Sequence, residues 1–128
     1  MDPVGVSDLK FSLKDEFLAV GEESDKSISV WDVLQRKRKT SLKGHLQGET
    51  VIALAFSPDG NMLASGSEYE LRAWNLGDEK PIFTRSVGAP VRCVAFSPDG
   101  KLLAYGFASS QIGGFELLNV QEDIEKTP

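Results

Sequence analysis

The chain has 128 residues, 41% of them hydrophobic, which is the size of one soluble domain with a sizeable core. Its 14 basic against 19 acidic residues give a formal charge of −5, which argues against the broad basic face that nucleic acid or an anionic membrane requires. The longest uncharged apolar stretch, Val51 to Phe56, falls far short of the roughly 20 residues of a membrane helix, and Met1-Asp2-Pro3-Val4-Gly5 lacks the basic-then-apolar order of a secretory signal.

In chain order, three similar stretches of strand signals follow one another. Val6, Leu9 and Phe11 set an apolar spacing that returns at Val51, Leu54, Phe56 and at Val91, Val94, Phe96. A gap of three and then two breaks strict alternation, as a strand with a bulge near its start would. After each comes a turn. Phe56-Ser57-Pro58-Asp59-Gly60 recurs unchanged 40 residues later as Phe96-Ser97-Pro98-Asp99-Gly100, and a degenerate copy, Phe11-Ser12-Leu13-Lys14-Asp15, lies 45 residues earlier. Proline fixes φ in such a turn, and glycine takes the positive φ that closes the hairpin.

A second strand is expected after each turn, at Phe17-Leu18-Ala19-Val20-Gly21, Met62-Leu63-Ala64-Ser65-Gly66 and Leu102-Leu103-Ala104-Tyr105-Gly106. The third strand ends in an aromatic with a polar neighbour: Ile28 to Trp31-Asp32, Leu71 to Trp74-Asn75, and Ile112 to Phe115-Glu116. These aromatics stand 20, 18 and 19 residues after the strand-one phenylalanines. A fourth strand reads at Lys39 to Leu42 and at Ile82 to Ser86, and no convincing helical periodicity appears. The expectation is all-β: eleven strands in antiparallel sheets of four, four and three, with a repeat period of about 40 to 45 residues that points to propeller blades. Blade one covers about 4–42, blade two 50–86, blade three 90–120, and 121–128 is a polar tail.

These residues resemble the WD-repeat (WD40) β-propeller family over nearly the whole chain. The resemblance rests on Gly44-His45 before a blade, the two Phe-Ser-Pro-Asp-Gly turns, Leu63-Ala64-Ser65-Gly66-Ser67, and the pairs Trp31-Asp32 and Trp74-Asn75. It implies a hydrogen-bonded set pinning each blade: His45, Ser65, Trp74 and Glu68 in the second, Asp25 and Trp31 in the first. The third departs, with Ser109 and Phe115, and is expected to be the least well pinned. The resemblance also implies a non-catalytic platform for a protein or peptide partner within a larger assembly. Its exposed candidates lie where the first strand begins and between strands two and three: Ile52, Arg92, Glu23, Ser24, Tyr69 and Ala108. Arg92 and Tyr69 lead, because arginine and tyrosine are enriched at binding hot spots. Three blades do not close a ring, so the flanks are expected to be covered by further blades of a longer chain or by self-association.

Catalytic readings are weaker than structural ones. His45 is the single histidine and has no second ligand or partner at useful spacing. Asp59 and Asp99 sit at equivalent turn positions, so turn formation accounts for both. Cys93, the single cysteine, has no disulfide partner and no zinc-ligand neighbours, and is expected to be buried packing in an apolar strand. No nucleophile elbow or phosphate loop appears, and no metal or cofactor is expected. The run Arg36-Lys37-Arg38-Lys39 reads as a solvated outer strand, with a nuclear-address or anion-binding patch as the sharper alternative. A cytoplasmic location is expected, with the nucleus as the alternative. The competing function is a propeller segment of a larger enzyme of the prolyl-oligopeptidase type, in which a Phe-Ser-Pro-Asp-Gly turn also recurs.

Overall fold

The computed structural model describes residues 5–14, 16–23, 27–43 and 50–121. Its elements are eleven strands: β1 (Val6–Phe11), β2 (Phe17–Glu22), β3 (Ser27–Asp32), β4 (Lys37–Leu42), β5 (Ala53–Phe56), β6 (Met62–Gly66), β7 (Glu70–Asn75), β8 (Lys80–Ser86), β9 (Val91–Phe96), β10 (Leu102–Ala108) and β11 (Gly113–Asn119). They form antiparallel meanders of four, four and three strands, β1 to β4, β5 to β8 and β9 to β11. The three sheets stack through their first strands, β1 on β5 and β5 on β9, as an open array of three blades among the described residues.

The turns form for the reasons their residues dictate. Gly60 and Gly100 take φ of 77° and 75°, and each donates its N–H to the carbonyl of the serine three residues back, at 2.9 Å. Asp59 accepts from the Ser57 hydroxyl at 2.6 Å and from the Asn61 N–H at 2.9 Å. Asp99 repeats this with Ser97 at 2.7 Å and Lys101 at 2.9 Å. Donors aimed at the charged carboxylate hold both pKa values below the ordinary range, the serine hydroxyl contributing most. The expected bulges are present in the outer two blades, between Val6 and Asp8 and between Val91 and Cys93.

Two cores lie between the sheets. Ala19, Ile28, Val30 and Leu42 of the first meet Leu54, Leu63, Trp74 and Leu76 of the second. The other face of the second, with Ala64, Leu71, Ala73 and Phe83, meets Val91, Leu103, Tyr105 and Leu118 of the third. Alternation along each strand of the second sheet therefore feeds both cores, which is why its second and third strands are apolar on both faces.

Two expectations need correction. Cys93 is exposed, not buried. Its counterpart in the second sheet, Ala53, is 4% exposed because the third sheet covers that face, whereas the same face of the third sheet is open. Phe115 does not occupy the place of the blade tryptophans. Leu18 pairs with Trp31 and Leu63 with Trp74, but Leu103 pairs with Leu118. Leu118 is 4% exposed and Phe115 73%. The connection before β11 is longer, so the third strand runs Gly113–Asn119 and ends on Leu118-Asn119. The residue after each such pair donates its N–H back across the sheet in all three blades: Val33 to Glu16, Leu76 to Asn61 and Val120 to Lys101.

Candidate interaction face

Position in the blade decides what each candidate residue can do. Glu23, Ile52, Tyr69, Arg92 and Ala108 all lie at the end of the sheets where first strands begin and second strands end, opposite the Asp59 and Asp99 turns. Backbone bonds between the first and second strands close this end: Glu23 N–H donates to the Gly5 carbonyl at 3.0 Å and Ala108 N–H to the Pro90 carbonyl at 3.1 Å in the outer blades, and in the second blade Ile52 N–H donates the other way, to the Gly66 carbonyl at 2.7 Å. The Tyr69 carbonyl accepts from Val87, and the Ser67 carbonyl accepts from Val91 of the next blade, which fixes the loop before β7. Tyr69 is 57% exposed, Arg92, Glu23 and Ala108 are exposed, and Ile52 is half-buried. Rigid strands thus display polar and aromatic loop residues along one rim. Ser24 lies outside the described residues, as do Gly44, His45 and Asp25.

Interior polar groups differ from blade to blade. In the second, the Trp74 indole N–H donates to Ser65 Oγ at 2.9 Å, both residues being buried. In the first, valine stands at the place of Ser65, and the Trp31 indole donates to Ser29 of its own strand at 3.0 Å. Arg72 lies over the Trp74 ring and Arg38 over the Trp31 ring, each at 5.5 Å, which repeats a cation–π contact. Glu68 is half-buried, and the acid buried beside it is Glu70, whose Oε1 takes the Arg72 guanidinium at 2.9 Å. That pair was not singled out from sequence, although Glu70-Leu71-Arg72 places both on one strand face.

The third blade holds a different network. Tyr105 stands at the place of Ser65 and donates its hydroxyl to Glu116 Oε2 at 2.8 Å. Arg85, from the last strand of the second blade, donates Nε to the Tyr105 oxygen at 3.2 Å and Nη2 to Glu116 at 3.0 Å. Burial pushes the Tyr105 phenol pKa up, and its bond to the Glu116 carboxylate adds to this. The third blade is therefore pinned to its neighbour by a tyrosine–carboxylate–guanidinium set that spans the junction.

The basic run folds as the solvated strand. Arg36 takes φ 55° in the turn and Lys37 to Lys39 are exposed in β4, with Lys39 Nζ 4.9 Å over the Phe17 ring. No group of three or more His, Cys, Asp or Glu able to hold a metal occurs among the described residues. No helix among them is long and apolar enough to cross a membrane.

Repeated four-stranded meanders stacked through their first strands, with a Trp-Asp or Trp-Asn end to the third strand, define a propeller of the repeat type. The WD40 family, described as "WD domain, G-beta repeat", matches residues 2–32, 36–75 and 79–112, and the chain belongs to it. Protein Notchless of Drosophila melanogaster is 38% identical over 90 residues, 63% of this chain and 18% of that protein. Small ribosomal subunit protein RACK1y of Oryza sativa subsp. japonica is 36% identical over 66 residues, 51% of this chain and 19% of that protein. Guanine nucleotide-binding protein subunit beta-5b of Danio rerio is 41% identical over 71 residues, covering 55% and 17%. The chain thus spans less than a fifth of the length of each of these relatives. Kuenenia stuttgartiensis hydrazine synthase superposes with a TM-score of 0.86 over 96% of this chain and 35% of that one, at 18% identity, a likeness of fold alone.

Proposed function

We propose that the chain is a non-catalytic scaffold whose rim of strand-one starts and strand-two exits binds a protein or peptide partner within a larger assembly. The observation that carries the reading is that Glu23, Ile52, Tyr69, Arg92 and Ala108 share one rim, which backbone bonds between first and second strands close in each blade. Membership of the WD40 family supports it, since one relative is named as a small ribosomal subunit protein and another as a subunit of a guanine nucleotide-binding protein. Arg92 and Tyr69 are the anchors: an exposed guanidinium and an exposed phenol, side chains enriched at binding hot spots, on a backbone already ordered by the sheet. The peptidase reading loses ground because the family match covers all three repeats. A lone exposed thiol suits a reducing compartment, so the cytoplasm is the proposed location, with the nucleus as the alternative.

Selection of displayed peptides on the purified chain tests the face. Binding should be lost in Arg92→Glu and Tyr69→Ala and kept in Asp99→Asn, at the opposite rim. Binders lost only in the Asp99 variant, or no binder at all, would refute the assignment.

A further inference from the structure

Val87-Gly88-Ala89-Pro90 joins β8 to β9 across the rim, over the internal junction of the second and third blades and away from the outer faces of the array. Both neighbours hold it. On the second-blade side Val87 N–H donates to the Tyr69 carbonyl at 2.8 Å, and the adjoining Val91 N–H donates to the Ser67 carbonyl at 2.9 Å. On the third-blade side Ala108 N–H donates to the Pro90 carbonyl at 3.1 Å, and Ile112 reaches towards Gly88. Val87 and Ala89 are buried, and Gly88 is exposed. A short floor therefore lies between two turns, 67–70 and 109–112.

The two turns are closed alike. Ser67 donates its N–H, at 2.9 Å, and its hydroxyl, at 3.2 Å, to the Glu70 carbonyl. Ser109 does the same to the Ile112 carbonyl, at 2.7 Å and 3.4 Å, and its oxygen accepts from the N–H of Gln111 and of Ile112 at 3.2 Å and 3.1 Å. Turns ordered in advance have less freedom to lose on binding. At their fourth place they differ: Glu70 is 3% exposed and paired with Arg72, whereas Ile112 is an aliphatic 51% exposed.

Gly88 is not a glycine that the fold requires. Its φ is not positive, and beyond its chain neighbours an added Cβ would meet only Ile112 Cδ1, at 3.9 Å, among the described residues. What the missing side chain does is keep the floor open between Tyr69, 57% exposed, and Ile112. Arg92, exposed and in no ion pair among the described residues, stands where β9 begins, next to Val91.

Resting on the reading of this rim as the binding face, we propose that the partner is a linear peptide segment carrying a large apolar residue beside an acidic one. The apolar side chain lies over Gly88 between Tyr69 and Ile112, and the carboxylate meets Arg92. A charge set on that floor would lose hydration without a partner, so the side chain there is apolar. An exposed guanidinium offers a carboxylate two parallel N–H donors. Gly88 and Ile112 thereby determine specificity.

Random linear peptides displayed for selection on the whole chain provide the probe, and enriched sequences are made as fluorescent synthetic peptides for titration. The expected sequences share a Leu, Ile, Met or Phe beside an Asp or Glu. Gly88→Leu fills the floor and Ile112→Ser removes one wall, and each should weaken binding about tenfold or more. Their urea midpoints should stay near that of the unaltered chain. Arg92→Glu should lose the acidic peptide and recover binding when the acidic residue of the peptide is replaced by lysine. Ile112→Ser, at an exposed position, carries the test alone should Gly88→Leu not fold. Peptides that need Arg92 and Tyr69 overturn the proposal, and leave the rim assignment standing, if they bind both variants as tightly as the unaltered chain or lack the apolar and acidic pair. No binder, or binders indifferent to Arg92→Glu and Tyr69→Ala, overturns the rim assignment and the proposal together.

Discussion

Replacing Trp74 with alanine tests the packing at its most loaded point. The ring is 1% exposed and packed within the core that Leu54, Leu63 and Leu76 form with the first blade, and its N–H is bonded to a Ser65 hydroxyl that is itself fully buried. Truncating a buried tryptophan costs about 3–5 kcal/mol through lost transfer energy and the cavity left behind. Loss of the indole donor contributes about 1 kcal/mol of this at Ser65. The same change at Trp31 should cost about 1–2 kcal/mol, because one side of that ring faces the open flank. Against a domain stability of about 5–15 kcal/mol, Trp74→Ala consumes a third or more of the margin in most cases. Urea unfolding followed by far-ultraviolet circular dichroism gives the difference from the shift in midpoint, provided the slope is unchanged. A cost below about 1 kcal/mol, or a larger cost at Trp31 than at Trp74, would refute the assignment of Trp74 to a sealed junction.

The register of the third blade predicts that Leu118→Ala costs about 2–5 kcal/mol and Phe115→Ala less than about 1 kcal/mol, read by the same unfolding assay; the reverse order would restore the aromatic to the core. Asp59 and Asp99 have lowered folded pKa values, so their contribution is complete above the unfolded value of about 3.9 and is lost as pH falls through the folded values. The double variant Asp59→Asn, Asp99→Asn should therefore flatten the fall of stability below about pH 4, and an unchanged pH profile would contradict the turn geometry.

How much of this was legible in the sequence turns on which signals are fixed in length. The Ser-Pro-Asp-Gly hairpins have one length and a required positive φ, so Gly60 and Gly100 mark the turn and set the register of both flanking strands. Burial on a flank was not legible in the same way. Cys93 lies in an apolar strand, but its exposure depends on whether a neighbouring blade covers it, which is a property of the array and not of the strand. The network of Arg85, Tyr105 and Glu116 was hidden because its members come from two blades and three strands.

The slip in the third blade has a specific cause. The connection between second and third strands varies: from the closing glycine of strand two to the pinned residue of strand three is 10 residues in the first blade (Gly21 to Trp31), 8 in the second (Gly66 to Trp74) and 12 in the third (Gly106 to Leu118). Searching for an aromatic near the expected spacing selects Phe115, which pairs with Gly106 and points to the open flank. The reliable mark is what surrounds the pinned residue. Val30-Trp31-Asp32-Val33, Ala73-Trp74-Asn75-Leu76 and Leu117-Leu118-Asn119-Val120 share an apolar residue, a large apolar side chain, a short polar residue and an aliphatic. The aliphatic closes the sheet through its backbone N–H in each case. Backbone closure fixes the strand end, and the side chain two before that closure is the one the junction can bury, whether it is tryptophan or leucine.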